Sequence, residues 1–212
     1  MSLNNWWVTP KIRFKDLPKE ITLDVKIDLF SDRVKGWKLD IADQLINGVR
    51  NEKGEIITEG NPHAGYSVLD IVLSYFEMIA KYREGFIGEY RNGRLYQNSK
   101  EYFKKGVYMV FQKELAQKDP YIVENFLNTL YSGARNGTYH NGFAGTGILI
   151  QGGDSPTMVF SSNIKQVIIN PHKLVLVLKY HFMDYITQLK DKNNTELRNS
   201  FEKKFDKEQS QT

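Results

Sequence analysis

One segment of this chain gathers side chains suited to acid–base chemistry at a phosphate. It reads Tyr131-Ser-Gly-Ala-Arg135-Asn136-Gly137-Thr-Tyr-His140-Asn141-Gly142. Arginine presents a planar fork of N–H donors that matches phosphate oxygens. Histidine gives and takes a proton near neutral pH. A cation, an amide and a histidine this close in sequence suit RNA cleavage by transesterification. In that chemistry a base removes the proton of a ribose 2′-hydroxyl and the oxygen attacks the adjacent phosphorus. A cation holds the charge that builds on the phosphoryl oxygens. The scheme calls for no metal ion and no cofactor.

The spacing sets a condition. On an ideal α-helix, five positions separate two side chains by about 140° and roughly 7.5 Å of rise, so Arg135 and His140 share no face of a straight helix. Gly133, Gly137 and Asn141-Gly142 surround them, so the helix is expected to break or turn here and bring both into one cleft. The chain holds 8 arginines and 4 histidines in 212 residues. This spacing therefore arises about 0.15 times by chance. A structural arginine at a helix C-terminus beside a surface histidine gives the same pattern.

The elements that must position these residues read as mainly helical. Residues 1–30 are expected to form an N-terminal arm on the body, with Trp6, Trp7 and Val8 as pins and Pro10 and Pro18 against a helix. From Ser31 the three- and four-residue spacing of Val34, Trp37, Ile41, Leu45 and Val49 predicts a helix. Residues 66–83 are apolar nearly all round, which places that helix at the centre of a bundle. Asn92-Gly93 predicts a tight hairpin turn. Residues 99–116 predict a third helix, with Gly106 inside it where close helix packing would account for a glycine. Asp119-Pro120 and Asn170-Pro171 are helix-start signals. Between them, residues 147–150, 157–160 and 166–169 predict three short strands, joined by turns at Gly152-Gly153-Asp154 and Ser161-Ser162-Asn163. From Asp191 a charged tail begins, in which Leu197, Phe201 and Phe205 suggest a short docking helix.

Composition narrows the classes. The chain has no cysteine, which excludes disulfides, thiolate nucleophiles and thiolate metal sites. The net charge of +4 is mildly favourable to nucleic acid. No apolar run reaches the roughly 18 residues of a membrane span. No charged-then-apolar leader opens the sequence, so a cytoplasmic location is expected. His63 falls in a polar loop, His172 in the first turn of the last long helix, and His181 on or beside the apolar stripe of that helix. No two histidines stand at metal-ligand spacing. Gly145-Thr-Gly147-Ile lacks the third glycine of a dinucleotide fingerprint and precedes a strand rather than a helix. Tyr90 to Lys105, with Arg91, Arg94, Lys100, Lys104 and Lys105, reads as an RNA groove or a solvated face.

The segment resembles the signature of the HEPN superfamily: an arginine, then usually Asn, Asp or His, three further residues, and a histidine. Arg135, Asn136 and His140 match each specified position. The likeness covers roughly residues 31–190. It implies a HEPN-like bundle of about five helices with a small antiparallel β-insert (about 147–169) before the last long helix. It also implies a metal-independent endoribonuclease, often homodimeric, of the kind found in stress response, toxin–antitoxin and phage-defence systems. RNA and an antitoxin or other partner protein are then the expected partners. By the same resemblance His140 would be general base or acid, Arg135 would hold the scissile phosphate, and Asn136 would orient one of the two. The toxin branch paired with nucleotidyltransferase antitoxins tends to have tyrosine two residues after the histidine, where this chain has Gly142. Two other readings stand beside the nuclease: a non-catalytic HEPN-like module binding RNA or protein, and a helical scaffold whose motif is structural.

Overall fold

Asp119 and Asn170 each open a helix whose first residue is proline. Proline has no N–H to leave unpaired there, and the preceding side chain takes up the donors next in line. Asp119 Oδ1 accepts from the N–H groups of Tyr121 and Ile122 at 2.8 and 3.3 Å, and Asn170 Oδ1 accepts from that of Lys173 at 3.3 Å. The computed structural model describes residues 6–137, 145, 147–160 and 166–210. The expected turn at Ser161-Ser162-Asn163 lies outside these residues, as do His140, Asn141 and Gly142.

The described elements run in this order: α1 (Leu23–Val34), a π-helical turn (Lys35–Leu39), α2 (Asp40–Asn47), β1 (Val49–Arg50), β2 (Ile56–Thr58) and α3 (Gly65–Glu84). Then come β3 (Glu89–Arg91), β4 (Arg94–Tyr96), α4 (Ser99–Val110), α5 (Gln112–Leu115), α6 (Pro120–Thr129) and a second π-helical turn (Leu130–Asn136). After these follow β5 (Ile148–Ile150), β6 (Met158–Phe160), β7 (Val167–Ile169), α7 (Pro171–Lys190) and α8 (Thr195–Gln209). The fold is a helical bundle with a small β-insert before a long helix, as the sequence predicts.

The apolar girth of α3 makes it the axis of the bundle. Val68, Leu69, Val72, Phe76 and Ile79 are wholly buried, and α2, α4, α7 and α8 all pack on it. Gly106 lets α4 come close: a Cβ at that position would overlap the carbonyl of Phe76 on α3. The third predicted helix is interrupted at Phe111, which leaves the helical region and separates α4 from α5.

Three sequence expectations fail near the N-terminus. Helix α1 starts at Leu23, inside the stretch assigned to the arm. The stripe Val34, Trp37, Ile41, Leu45, Val49 does not face inward as a whole. Trp37 and Ile41 are 44% and 45% exposed, while Leu39, Ala42 and Ile46 are buried. Val49 is in β1. The first π-turn is the reason. Its backbone bond from Asp40 N–H to Lys35 O spans five residues and adds about one residue to the turn, which rotates everything after it by roughly 100°. The arm itself is held by Val8, Ile12 and Leu17 against the core and by Arg33 Nε donating to the Val8 carbonyl at 2.8 Å. Trp6 and Trp7 are exposed instead of pinned, and Arg13 lies over the Trp7 ring.

Asn92 and Gly93 both take positive φ and turn β3 antiparallel into β4. In the insert, β6 pairs antiparallel with β7 as expected, and β5 joins the other edge of β7 in parallel. Asn170, fully buried, ties the insert to α7: its Nδ2 donates to the carbonyls of Gly153 and Ser155 at 3.1 and 3.0 Å. The charged tail forms a helix of 15 residues rather than a short one. Phe201 and Phe205 are buried, and Arg198 bonds Asp24 of α1 at 2.7 Å.

Candidate functional site

Helix α6 does not stop at Thr129. It runs on through Leu130–Asn136 as a π-helical turn, a conformation that recurs at functional sites because it swings side chains off the regular helical faces. Leu130, Gly133 and Ala134 face the core. Arg135 and Asn136 are half-buried, and Gly137 is buried at the end of the turn. Tyr131 lies edge-on to Phe103 of α4, with ring centroids 5.4 Å apart. The N–H of Gly145 donates to the carbonyl of Gly133 at 2.7 Å. The chain that leaves the turn at Gly137 is therefore tied back to the same turn at Gly145. His140 lies between these two points, outside the described residues.

One half-buried cation was not singled out by the sequence. Lys38 sits on the first π-turn, half-buried, and its Nζ donates to Ser74 Oγ on α3 at 2.7 Å. The Ser74 hydroxyl donates in turn to the Ile71 carbonyl at 3.3 Å, so its proton is already committed. Burial holds the Lys38 ammonium below its ordinary pKa, and the neighbouring Arg135 guanidinium pushes it further the same way, with Glu208 opposing. Both π-turns pack against α3. No spacing rule links positions 38 and 135. The one local oddity is Gly36 inside a helical stretch, and the structure explains it by Pro10, whose ring occupies the place of a Cβ there.

The other histidines have structural partners. His63 is exposed, in a turn where its N–H donates to Asn61 Oδ1. His172 is half-buried and its Nδ1 meets Asn47 Oδ1 at 2.8 Å, joining α7 to the end of α2. Nδ1 of His181 meets the buried Tyr75 hydroxyl at 2.7 Å. Burial, aided by Arg83 and opposed by Asp184, lowers the His181 pKa to about 4.

The Tyr90–Lys105 region divides between its two readings. Tyr96, Ser99, Lys100, Lys104 and Tyr131 line an open groove beside the second π-turn. Within this stretch, however, Lys104 pairs with Glu124 at 2.6 Å, and Lys105 pairs with Glu84 and Glu101. Those carboxylates offset much of the positive field that a phosphate chain would meet.

No protein-family model matches the chain, and neither a curated protein nor a solved structure matches it. Among the described residues no group of three or more histidine, aspartate or glutamate side chains could hold a metal ion. None of the described helices is long and apolar enough to cross a membrane.

Proposed function

We propose that this protein is an endoribonuclease of HEPN type that cleaves RNA without a metal ion. The observation that supports this reading most is the π-turn at the end of α6. It carries Arg135 and Asn136, and the bond from Gly145 to Gly133 ties the far side of the motif segment back to it. In the proposed reaction His140 takes the proton of a ribose 2′-hydroxyl. The 2′-oxygen bonds to the adjacent phosphorus, the bond from phosphorus to the 5′-oxygen breaks, and that oxygen takes a proton from water. The products are a 2′,3′-cyclic phosphate and a 5′-hydroxyl end. Arg135 holds the phosphoryl oxygens as their charge grows. Asn136 orients the histidine or the phosphate. A second copy of the chain, a cytoplasmic setting and a role in stress response or phage defence belong to the same proposal.

The test is RNA cleavage by the purified protein in EDTA, beside His140→Ala and Arg135→Ala. Cleavage with cyclic phosphate ends, lost in both variants, is the expected result. Cleavage that persists in both variants overturns the assignment. RNA binding without cleavage, weakened by Arg135→Ala, would select the non-catalytic binding module.

A further inference from the structure

The groove beside the second π-turn encloses about 480 Å³, inside the range of small-ligand pockets, about 300–1,000 Å³. Most of its polar side chains are committed elsewhere. The Ser99 hydroxyl donates to Glu77 Oε1 at 2.8 Å, Lys104 bonds Glu124 at 2.6 Å, and Glu101 meets Lys105 at 3.3 Å. Two are not. Lys100 is exposed and bonds no carboxylate among the described residues. Asn98 is half-buried and stands immediately before α4, where an asparagine side chain ordinarily accepts from the first N–H groups of the helix. It caps nothing here. Its backbone is left-handed, with φ 47°, and its amide makes no hydrogen bond among the described residues. Tyr131 completes the groove, its ring fixed edge-on against Phe103 of α4.

We propose that this groove is a base-reading subsite for single-stranded RNA. One unstacked base lies on the Tyr131 ring, the Asn98 amide bonds the base edge, and Lys100 meets the phosphate of the same nucleotide. Aromatic stacking joined to bonds at the base edge is how proteins read single-stranded RNA. An amide offers a donor and an acceptor side by side, as a base edge does. The carboxylates of Glu101 and Glu124 weaken the groove for a run of phosphates but not for a neutral base. The inference rests on the function proposed above and adds the residues that select where the chain is cut. Tyr131 precedes Arg135 by four residues on the same π-turn, and residues four apart on a helix are neighbours. The base is thereby held beside the segment that carries the motif.

Binding of a short 2′-O-methyl oligoribonucleotide to the full chain tests this, against an abasic 2′-O-methyl backbone of the same length. The first keeps bases and phosphodiesters, the second phosphodiesters alone. Wild type is compared with Asn98→Gly, Tyr131→Leu, Tyr131→Phe, Lys100→Gln and the exposed control Lys203→Gln, each checked for folding by thermal melting. Glycine at position 98 removes the amide and accepts the left-handed backbone. Wild type should prefer the base-bearing oligomer about tenfold or more. Tyr131→Leu should lose most of that preference, and Asn98→Gly should weaken oligomer binding about fivefold. Tyr131→Phe keeps the ring and should bind within about threefold of wild type. Lys100→Gln should lower the salt slope by about one for both probes. Equal binding of the two probes by wild type overturns the subsite. So does wild-type affinity in both Asn98→Gly and Tyr131→Leu, an equal loss in Lys203→Gln, or the absence of saturable binding by wild type. A wild type that prefers bases through Tyr131 and Asn98 but cuts no RNA keeps the subsite and removes the nuclease. RNA cleavage that needs Arg135 and His140, with binding indifferent to Tyr131 and Asn98, does the reverse.

Discussion

The Tyr75 hydroxyl meets Nδ1 of His181 at 2.7 Å, joining α3 to α7 inside the bundle. Tyr75 is wholly buried, and burial raises its pKa well above the ordinary value, so the phenol keeps its proton at all ordinary pH. His181 is held neutral: burial is the main cause, the Arg83 charge adds to it, and Asp184 offsets part.

This pair predicts a pH dependence of stability. The folded-state pKa of His181, about 4, lies below the ordinary value of 6.5. The unfolded chain therefore binds the extra proton first, and stability falls as pH drops from about 6.5 to about 4, then levels. Allowing for the partial solvent contact of the ring, the loss is about 2 kcal/mol. Urea unfolding at pH 7 and pH 4.5 measures it. In His181→Gln, the difference between the two pH values should shrink by about that amount; an unchanged difference would show that His181 is not the group responsible.

Gly106→Ala should destabilise the protein although alanine is the better helix former. The new methyl overlaps the Phe76 carbonyl, a backbone atom that cannot step aside. The overlap outweighs the gain of about 1 kcal/mol in helix preference, for a net loss of about 1–3 kcal/mol. Denaturant unfolding gives the sign directly.

Phe201→Ala tests whether the C-terminal helix belongs to the core. Phe201 is fully buried, with ring centroids 5.3 Å from Phe30 and 5.6 Å from Tyr82. Removing it should cost about 3–5 kcal/mol. The corresponding fall in melting temperature is about 10 °C. A change under about 2 °C would mean that α8 is only loosely attached.

Under the proposed function, Arg135→Lys separates charge from geometry. Lysine keeps the cation but loses the fork that grips two oxygens at once. We expect cleavage to fall about tenfold or more in Arg135→Lys and about 10²–10³-fold in Arg135→Ala. Equal rates in the two variants would show that the fork, and not the charge, carries the effect. Single-turnover rates on one RNA measure all three proteins.

Several features of this protein were legible in the sequence because they are decided within a few residues. The starts of α6 and α7 follow from Asp119-Pro120 and Asn170-Pro171, where a side-chain oxygen and a missing N–H act on the adjacent turn. The hairpin turn follows from Asn92-Gly93, two residues that tolerate positive φ. The central place of α3 follows from its apolar girth. The candidate chemistry of Arg135, Asn136 and His140 was likewise visible as local spacing. Tertiary structure alone decided the rest. One extra residue in the turn Lys35–Leu39 rotated Trp37 and Ile41 outward, and no local pattern marks such a turn in advance. The long C-terminal helix gains its place from rings on α1 and α3 that are remote in sequence. The bond of Lys38 to Ser74 depends on the first irregular turn packing on α3. Turn and cap chemistry acts over one to four residues, whereas the phase of a helix and the company of a buried charge are set by everything packed around them.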